Sequence, residues 1–221
     1  MHISEGFLSP FWAGLWSLVA LPFVIYGGYR VSKIFKERPR EKIMIAVAGA
    51  FIFVLSALKL PSVTGSSSHP TGTGLAAILF GPGVTAFLAT ISLVFQALLL
   101  AHGGITTLGA DIVSMGIAGP LVAFFTFKAL RKMKAGLGIS VFFAALLSDL
   151  VTYVVTAIQL ALAYPGGGAL TTAGFLSSFG TFMGIFALTQ VPLAIAEGIL
   201  FVIFFDFLKK SRQKQFAEVL K

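Results

Sequence analysis

The sequence predicts an all-α, polytopic helical membrane protein with seven spans, one of them short. Composition is the first reason: of 221 residues, 57% are hydrophobic and 11% are charged, and the mean hydropathy is +0.96. A soluble domain carries about a quarter of its residues as charged side chains. This composition excludes a soluble globular protein, a disordered chain and a nucleic-acid-binding domain of ordinary composition.

The lengths of the apolar runs are the second reason. A transmembrane helix needs about 20 mostly apolar residues. The candidate spans are residues 11–29, 43–58, 84–101, 105–127, 138–163 and 181–207. A further apolar piece, residues 74–80, is too short to cross a bilayer alone and ends at a Gly-Pro-Gly turn signal.

The basic residues decide whether the short piece counts as a span. All of the 16 Lys and Arg residues except Lys59 fall between the first two spans, after the span that ends near residue 127, or in the C-terminal tail. Excess Lys and Arg marks cytoplasmic loops. Placing all three groups in the cytoplasm requires residues 74–80 to count, which puts the N-terminus outside and the C-terminus inside.

This topology gives a single integral membrane domain over residues 1–221. Residues 1–10 and the loop 61–73 lie on the extracytoplasmic side, and the basic tail 209–221 lies in the cytoplasm. The N-terminus has no basic stretch ahead of its first apolar run, so we do not expect a cleaved signal peptide. We expect Met1 to be retained because His2 is large. The chain has no cysteine, which excludes disulfides and thiolate sites.

His2 stands out among the histidines because it follows the N-terminal residue directly. The α-amino group of Met1, the amide nitrogen of His2 and its imidazole can chelate one metal ion in a plane. His69, whose loop is predicted on the same side, is the best candidate for a fourth nitrogen. A planar nitrogen set suits Ni²⁺ or Cu²⁺ and can hold low-spin Co²⁺. Because imidazole binds metal as the neutral ring, binding should weaken as pH falls.

Other polar side chains on that side have less specific interpretations. His102 is expected to contribute to access or to the surroundings of the metal, or simply to be solvated. Hydroxyl side chains around His69 are candidates for orienting imidazoles, or are ordinary loop residues; the candidates are Ser66, Ser68 and Thr71, with Ser67 and Thr73 nearby. Glu5 can attract cations or serve as a capping or solvated group.

Carboxyl groups also fall inside predicted spans. Asp149 and Glu197 lie in mid-span, where an ionisable residue suggests a functional role such as a cation path. No basic residue in a span can pair with them, so we favour side chains hydrogen-bonded between helices. Asp111 lies near the outer end of its helix and is suited to capping a turn.

Four segments of the chain resemble the CbiM/NikM family. They are MHISEGFL at 1–8, SSSHPTGTG at 66–74, FQALLLAHGG at 95–104 and QVPLAIAEG at 190–198. Members of that family are the substrate-specific membrane components of energy-coupling-factor importers for cobalt and nickel. The resemblance implies a metal site made by Met1, His2 and His69. Asp111 is a departure, since relatives are expected to carry Asn there.

The resemblance also implies partners and a location. The partners are a transmembrane coupling subunit, a cytoplasmic ATPase pair and a small accessory membrane subunit, in the cell membrane of a prokaryote. The chain itself has no ATP site and is expected not to be an enzyme. The family wording leans towards Co²⁺ and the planar nitrogen set towards Ni²⁺, so the sequence leaves the cargo open.

Two other function classes are weighed against an importer subunit. One is an autonomous cation channel or carrier that uses Asp149 and Glu197. The other is a membrane-embedded metalloenzyme, which a site filled in its plane disfavours because catalytic metal sites keep an open position. The sequence favours the importer subunit.

Overall fold

The structure, a computed structural model, describes residues 2–61 and 66–211. Within them, seven helices follow one another along the chain. They are α1 (Pro10–Glu37), α2 (Lys42–Ala57), α3 (Thr73–Phe80), α4 (Pro82–Leu100), α5 (Leu108–Lys132), α6 (Leu137–Ala163) and α7 (Thr172–Ser211). Three short strands accompany them: β1 (His2–Ile3), β2 (Leu60–Pro61) and β3 (Ser66–Ser68).

The predicted fold class is confirmed. In the part of the chain that the structure describes, α1, α4, α5, α6 and α7 are long and apolar enough to cross a membrane. Helix α2 has 16 residues and α3 has 8 residues, so the short predicted piece at 74–80 is a real helix. The number of membrane crossings and the end of the bundle that faces the cytoplasm stay predictions.

Some helix boundaries differ from those predicted. Helix α7 begins at Thr172 and not at 181, and α1 continues to Glu37 and not to 29. The prediction followed the apolar run, whereas a helix continues through any residues that favour it, and Lys, Arg and Glu are good helix formers. In α5, residues Ile112–Ala118 form a π-helical stretch, which no hydrophobic pattern predicts.

A small sheet gathers three parts of the chain at one end of the bundle. The strand order is β1-β3-β2, and both pairings are antiparallel. His2 lies opposite Ser67, and Leu60 lies opposite Ser68. The N-terminal segment, the chain after α2 and the chain ahead of α3 therefore meet in one place.

Residues 69–72 run from β3 to α3 without regular structure, and His69 and Thr71 are fully buried. Gly72 has a φ of 71°, and a Cβ atom there would lie 2.9 Å from Cα of Ile52 in α2. Glycine is required at this position because it allows both the backbone angle and the close approach. Non-helical backbone within a membrane protein is tolerated where protein surrounds it, which is the situation of this segment.

Candidate metal centre

The three histidines of the sequence form one buried cluster. His2 is 1%, His69 0% and His102 2% exposed. One ring nitrogen from each lies within 4.8 Å of the others, and the ring of His2 has its centroid 4.3 Å from that of His69 and 4.2 Å from that of His102. The structure thus brings His2 and His69 together and adds His102 to them.

His69 is oriented by the backbone beside it. Its Nδ1 lies 2.8 Å from the carbonyl oxygen of Pro70. A carbonyl oxygen can only accept, so Nδ1 carries the hydrogen and Nε2 carries the lone pair. That Nε2 contacts Nδ1 of His2. The hydrogen bond to Pro70 therefore aims an unprotonated nitrogen into the cluster, as metal-binding histidines require.

His102 is held by Ser67, whose Oγ lies 2.7 Å from its Nε2. Among the described residues, Nδ1 of His102 is buried without a hydrogen-bond partner. Buried polar atoms are rarely left unpaired. Free nitrogens on buried, closely spaced imidazoles are the donor chemistry of a transition-metal site.

The electrostatic setting keeps these rings neutral. Burial lowers the pKa of His2 and of His69 well below the ordinary histidine value, and repulsion between neighbouring imidazoles lowers it further. Burial also lowers the pKa of His102 to about 4. At neutral pH all three rings are uncharged, which is the form that binds a metal ion.

The strand that carries His2 is anchored to the start of α5 and to the loop before it. The Ile3 amide donates to Oδ1 of Asp111 over 2.8 Å, and Thr107 Oγ1 donates to the Ile3 carbonyl oxygen over 2.7 Å. Gly103, at φ 77°, lies against the His2 ring, and a Cβ atom there would be 2.9 Å from His2 Cδ2. Asp111 therefore holds the N-terminal strand rather than capping its own helix.

Glu5 links the N-terminal segment to the loop before α5 and is exposed. Its exposed carboxylate accepts hydrogen bonds from Thr106 Oγ1 at 2.6 Å and from the Thr106 amide at 3.2 Å. The Thr106 hydroxyl lowers the pKa of Glu5, which keeps the carboxylate charged. A Cβ atom at Gly104 would lie 2.5 Å from Cα of Glu5, so glycine there lets the N-terminal segment dock.

The segment that carries His69 is anchored to α7. Ser68 Oγ lies 2.8 Å from Thr189 Oγ1. The side-chain amide of Gln190 donates to the His69 carbonyl oxygen over 3.2 Å and to Oδ1 of Asp149 over 2.7 Å. Asp149 thus makes the predicted kind of contact, a hydrogen bond between helices, in this case α6 and α7.

Glu197 has a different partner from the one predicted. Its carboxylate accepts the Thr71 amide at 2.6 Å, the Thr71 hydroxyl at 2.9 Å and the Gly72 amide at 2.9 Å. These amides lie just ahead of α3, where a helix leaves N–H groups without intrahelical partners. Glu197 therefore binds the backbone before a helix, and not the side chain of another helix.

The candidate residues around His69 have separate tasks. Ser66 pairs with Ile3 in the sheet, Ser68 contacts α7, and Thr71 contacts Glu197. Ser67 contacts the imidazole of His102. Met1 and residues 62–65 lie outside the described residues, as does the tail beyond 211.

Two amide side chains, Gln190 and Gln96, were not singled out from the sequence. Gln190 links the His69 segment to Asp149. Gln96 of α4 is fully buried and donates to Ser56 Oγ over 2.6 Å and to the Phe53 carbonyl oxygen over 3.1 Å. An uncharged amide inside an apolar run is the signal that could have identified both, because such a group needs partners when it is buried.

Comparison with known proteins gives consistent results. The family model CbiM, described as "Cobalt uptake substrate-specific transmembrane region", matches residues 2–215. A protein named "Cobalt transport protein CbiM" from Carboxydothermus hydrogenoformans is 60% identical over 210 residues, covering 95% of this chain and 84% of the relative. One of the same name from Acetoanaerobium sticklandii is 56% identical, covering 97% and 86%.

A solved structure shares the fold. It is described as a truncated transition metal transporter, with a TM-score of 0.83 and 24% sequence identity, covering 95% of this chain and 99% of the other. The curated relatives are named as transport proteins, in agreement with the prediction that the chain is not an enzyme. With a family match over nearly its whole length and relatives above half identity, the chain belongs to the CbiM family.

Proposed function

We propose that this chain is the metal-capturing membrane component of an uptake system for a transition-metal cation. The observation that carries the proposal is the buried cluster of His2, His69 and His102, with ring nitrogens within 4.8 Å of one another, in a member of the CbiM family. Exchange of an ion at such a site requires the protein to open. A capture subunit has this property, because it must hold its cargo away from water until release.

The donor set that we propose comprises the Met1 amino group, the His2 amide and imidazole nitrogens, and Nε2 of His69. His102 supplies a further imidazole beside this set or orients it. The contact between His2 Nδ1 and His69 Nε2 supports the proposal, since ligands on neighbouring positions of one metal ion have their donor atoms close together. Ser67 and Pro70 then act as the outer groups that fix the orientation of the rings.

Cobalt is the cargo that we favour. The relatives from C. hydrogenoformans and A. sticklandii are named cobalt transport proteins, and a strong in-plane field of nitrogens can hold low-spin Co²⁺. Nickel is the second candidate, since a planar set of nitrogen donors suits Ni²⁺ among the divalent first-row metals.

We propose further that the chain works in an energy-coupling-factor complex in the cell membrane of a prokaryote. Its partners there are a transmembrane coupling subunit, a pair of cytoplasmic ATPases and a small accessory membrane subunit. In this scheme the N-terminal segment faces outwards, and ATP-driven movement of the partners releases the ion inwards. The organisms of the curated relatives, which are prokaryotes, agree with this location.

The contacts of the intramembrane carboxylates argue against an autonomous channel. Both oxygens of Glu197 accept hydrogen bonds from Thr71 and Gly72, and one oxygen of Asp149 accepts the Gln190 amide. Groups that line a conducting path would face water or the ion. These two hold protein elements together.

Calorimetry on the purified chain tests the proposal. The protein with its native N-terminus is titrated with Co²⁺ and with Ni²⁺, beside the same protein carrying one extra N-terminal residue. We expect one-to-one binding that the extension abolishes, because the extension moves the free amino group away from His2. Equal binding by both forms would place the ligands elsewhere and overturn the proposed donor set.

A further inference from the structure

We infer that Asp111 and Glu197 are positioning residues that hold the two halves of the metal site separately. Asp111 fixes the strand that carries His2, and Glu197 fixes the segment that carries His69. The inference rests on the proposed metal site and assigns a task to carboxyl groups that neither the family description nor the names of the relatives assign.

Within residues 2–61 and 66–211, Asp111 accepts one backbone hydrogen bond with its side chain. It is buried, and its Oδ1 accepts the amide of Ile3, the residue directly after His2, over 2.8 Å. The Thr107 hydroxyl donates a hydrogen bond to the Ile3 carbonyl oxygen over 2.7 Å. Both backbone polar groups of Ile3 are therefore satisfied from one side. With Ile3 fixed in this way, the adjacent His2 backbone and ring have little freedom to shift.

Glu197 acts through both of its oxygens. Oε2 accepts the Thr71 amide at 2.6 Å, and Oε1 accepts the Gly72 amide and the Thr71 hydroxyl, each at 2.9 Å. These groups lie two and three positions after His69. Their hydrogen atoms need acceptors because Thr71 and Gly72 are buried, and an unsatisfied buried amide is costly. A carboxylate near the start of α3 also suits the positive end of the helix dipole.

The two anchors have different requirements for the side chain. One carbonyl-type oxygen is enough to accept the Ile3 amide, so Asn at 111 can replace Asp. At 197, Gln would keep one acceptor oxygen and place an NH₂ group against an amide hydrogen, where donor meets donor. We therefore expect that position 111 can hold the strand without a negative charge. Position 197 needs both acceptor oxygens to hold the segment with His69.

The different requirements at positions 111 and 197 allow a positioning role to be distinguished from an electrostatic one. If the carboxyl groups attracted or ligated the cation, removal of either charge would weaken binding. If they position backbone, Asp111→Asn binds Co²⁺ as the unmodified chain does, whereas Asp111→Leu and Glu197→Gln each lose about 10- to 100-fold in affinity, the usual effect of removing an outer group of a metal site. Asp206→Asn is the control, because Asp206 is an exposed carboxyl group on α7 and its removal leaves the contacts of both histidine segments unchanged.

Two measurements on the purified full chain distinguish these roles. Co²⁺ affinity is measured for the four variants, and hydrogen exchange of backbone amides is measured without metal. Asp111→Leu should speed exchange near Ile3 and leave Thr71 and Gly72 protected, and Glu197→Gln should do the reverse. If Asp111→Leu does not fold, the contrast between Asp111→Asn and Glu197→Gln still decides.

Equal loss of affinity in Asp111→Asn and Glu197→Gln would overturn the inference, as would full protection of Thr71 and Gly72 in Glu197→Gln. A complete lack of Co²⁺ binding by the unmodified chain would contradict the proposed function instead. The exchange pattern would then still decide whether these residues hold the two segments, because it is measured without metal.

Discussion

The two halves of the histidine cluster are held in contrasting ways. The strand with His2 is attached at the rim of the bundle, where the exposed Glu5 and Thr106 pair beside the buried contact of Ile3 with Asp111. The segment with His69 lies inside the bundle, where Gln190 and Glu197 satisfy its backbone. Water can replace hydrogen bonds at the rim, but it cannot easily do so inside.

This difference shows why the polar residues of α6 and α7 are where they are. A chain that enters the bundle without forming a helix must find acceptors for its amide hydrogens within the protein. A carboxylate such as Glu197, which accepts two amide hydrogens and one hydroxyl hydrogen, costs less to bury than an unpaired carboxylate. Buried carboxyl groups can thus arise from the need to support an irregular segment rather than from ion conduction.

Among the changes that test this comparison, loss of a proposed ligand should lower the Co²⁺ affinity most. His69→Ala removes the imidazole that His2 faces. We expect the Co²⁺ affinity to fall more than about 100-fold, because loss of an outer group alone costs up to about 100-fold. Calorimetry on the purified chain measures it. Asp206→Asn, at an exposed position of α7, is the control, and unchanged affinity in His69→Ala would show that the two halves do not share one ion.

Removal of the Gln190 link should have the next largest effect. Gln190→Met keeps the approximate size of the side chain but removes the hydrogen bonds to His69 and Asp149, and we expect an affinity about 10- to 100-fold lower. Gln159→Met is the matched control, since Gln159 is equally buried and donates to the Ala110 carbonyl oxygen. Equal losses in both variants would indicate a general packing effect.

A substitution at the rim of the bundle tests how the strand with His2 is held. Gly103 and Gly6 have φ angles of 77° and 71°, and an alanine at either position is strained by about 1–2 kcal/mol. Only at Gly103 would the new Cβ atom meet the His2 ring; at Gly6 it would meet nothing within 4 Å. We expect Gly103→Ala to weaken Co²⁺ binding clearly more than Gly6→Ala does, as measured by competition with a chelator.

Acid bears least directly on this comparison, because it acts on the metal-free chain. Burial lowers the pKa of His102 to about 4, below the unfolded value of about 6.5. The unfolded chain therefore takes up the proton first, and stability present above about pH 6.5 is lost as pH falls towards 4. Thermal unfolding in detergent at stepped pH should show this decline, and His102→Gln should reduce it. A flat profile for the unmodified chain would indicate a ring that protonates freely.

The helices were accessible from the sequence because each depends on a local apolar run. The short helix Thr73–Phe80 was predicted by combining such a run with the distribution of Lys and Arg, and the structure contains it. The start of α7 was not predicted, because glycines and hydroxyls before residue 181 look like a loop when only hydropathy is considered. Local patterns determine that a helix exists more firmly than where it begins.

The metal site could be predicted from the sequence only in part, for a physical reason. The loops of His2, His69 and His102 were assigned to one side by counting crossings, which says nothing about distance. The contact of Ser67 with the His102 ring joins residues far apart in sequence. The same is true of the contact between Glu197 and the Thr71 backbone. Side-chain chemistry indicates which residues need partners, but only the packed structure identifies those partners.

X-ray absorption at the cobalt edge, on the purified chain with its native N-terminus, tests the central claim most directly. A site built from His2, His69 and the N-terminal nitrogens predicts a shell of nitrogen ligands with the outer scattering of imidazole rings. A shell of oxygen ligands without imidazole scattering would contradict it and would direct attention to Asp149 and Glu197.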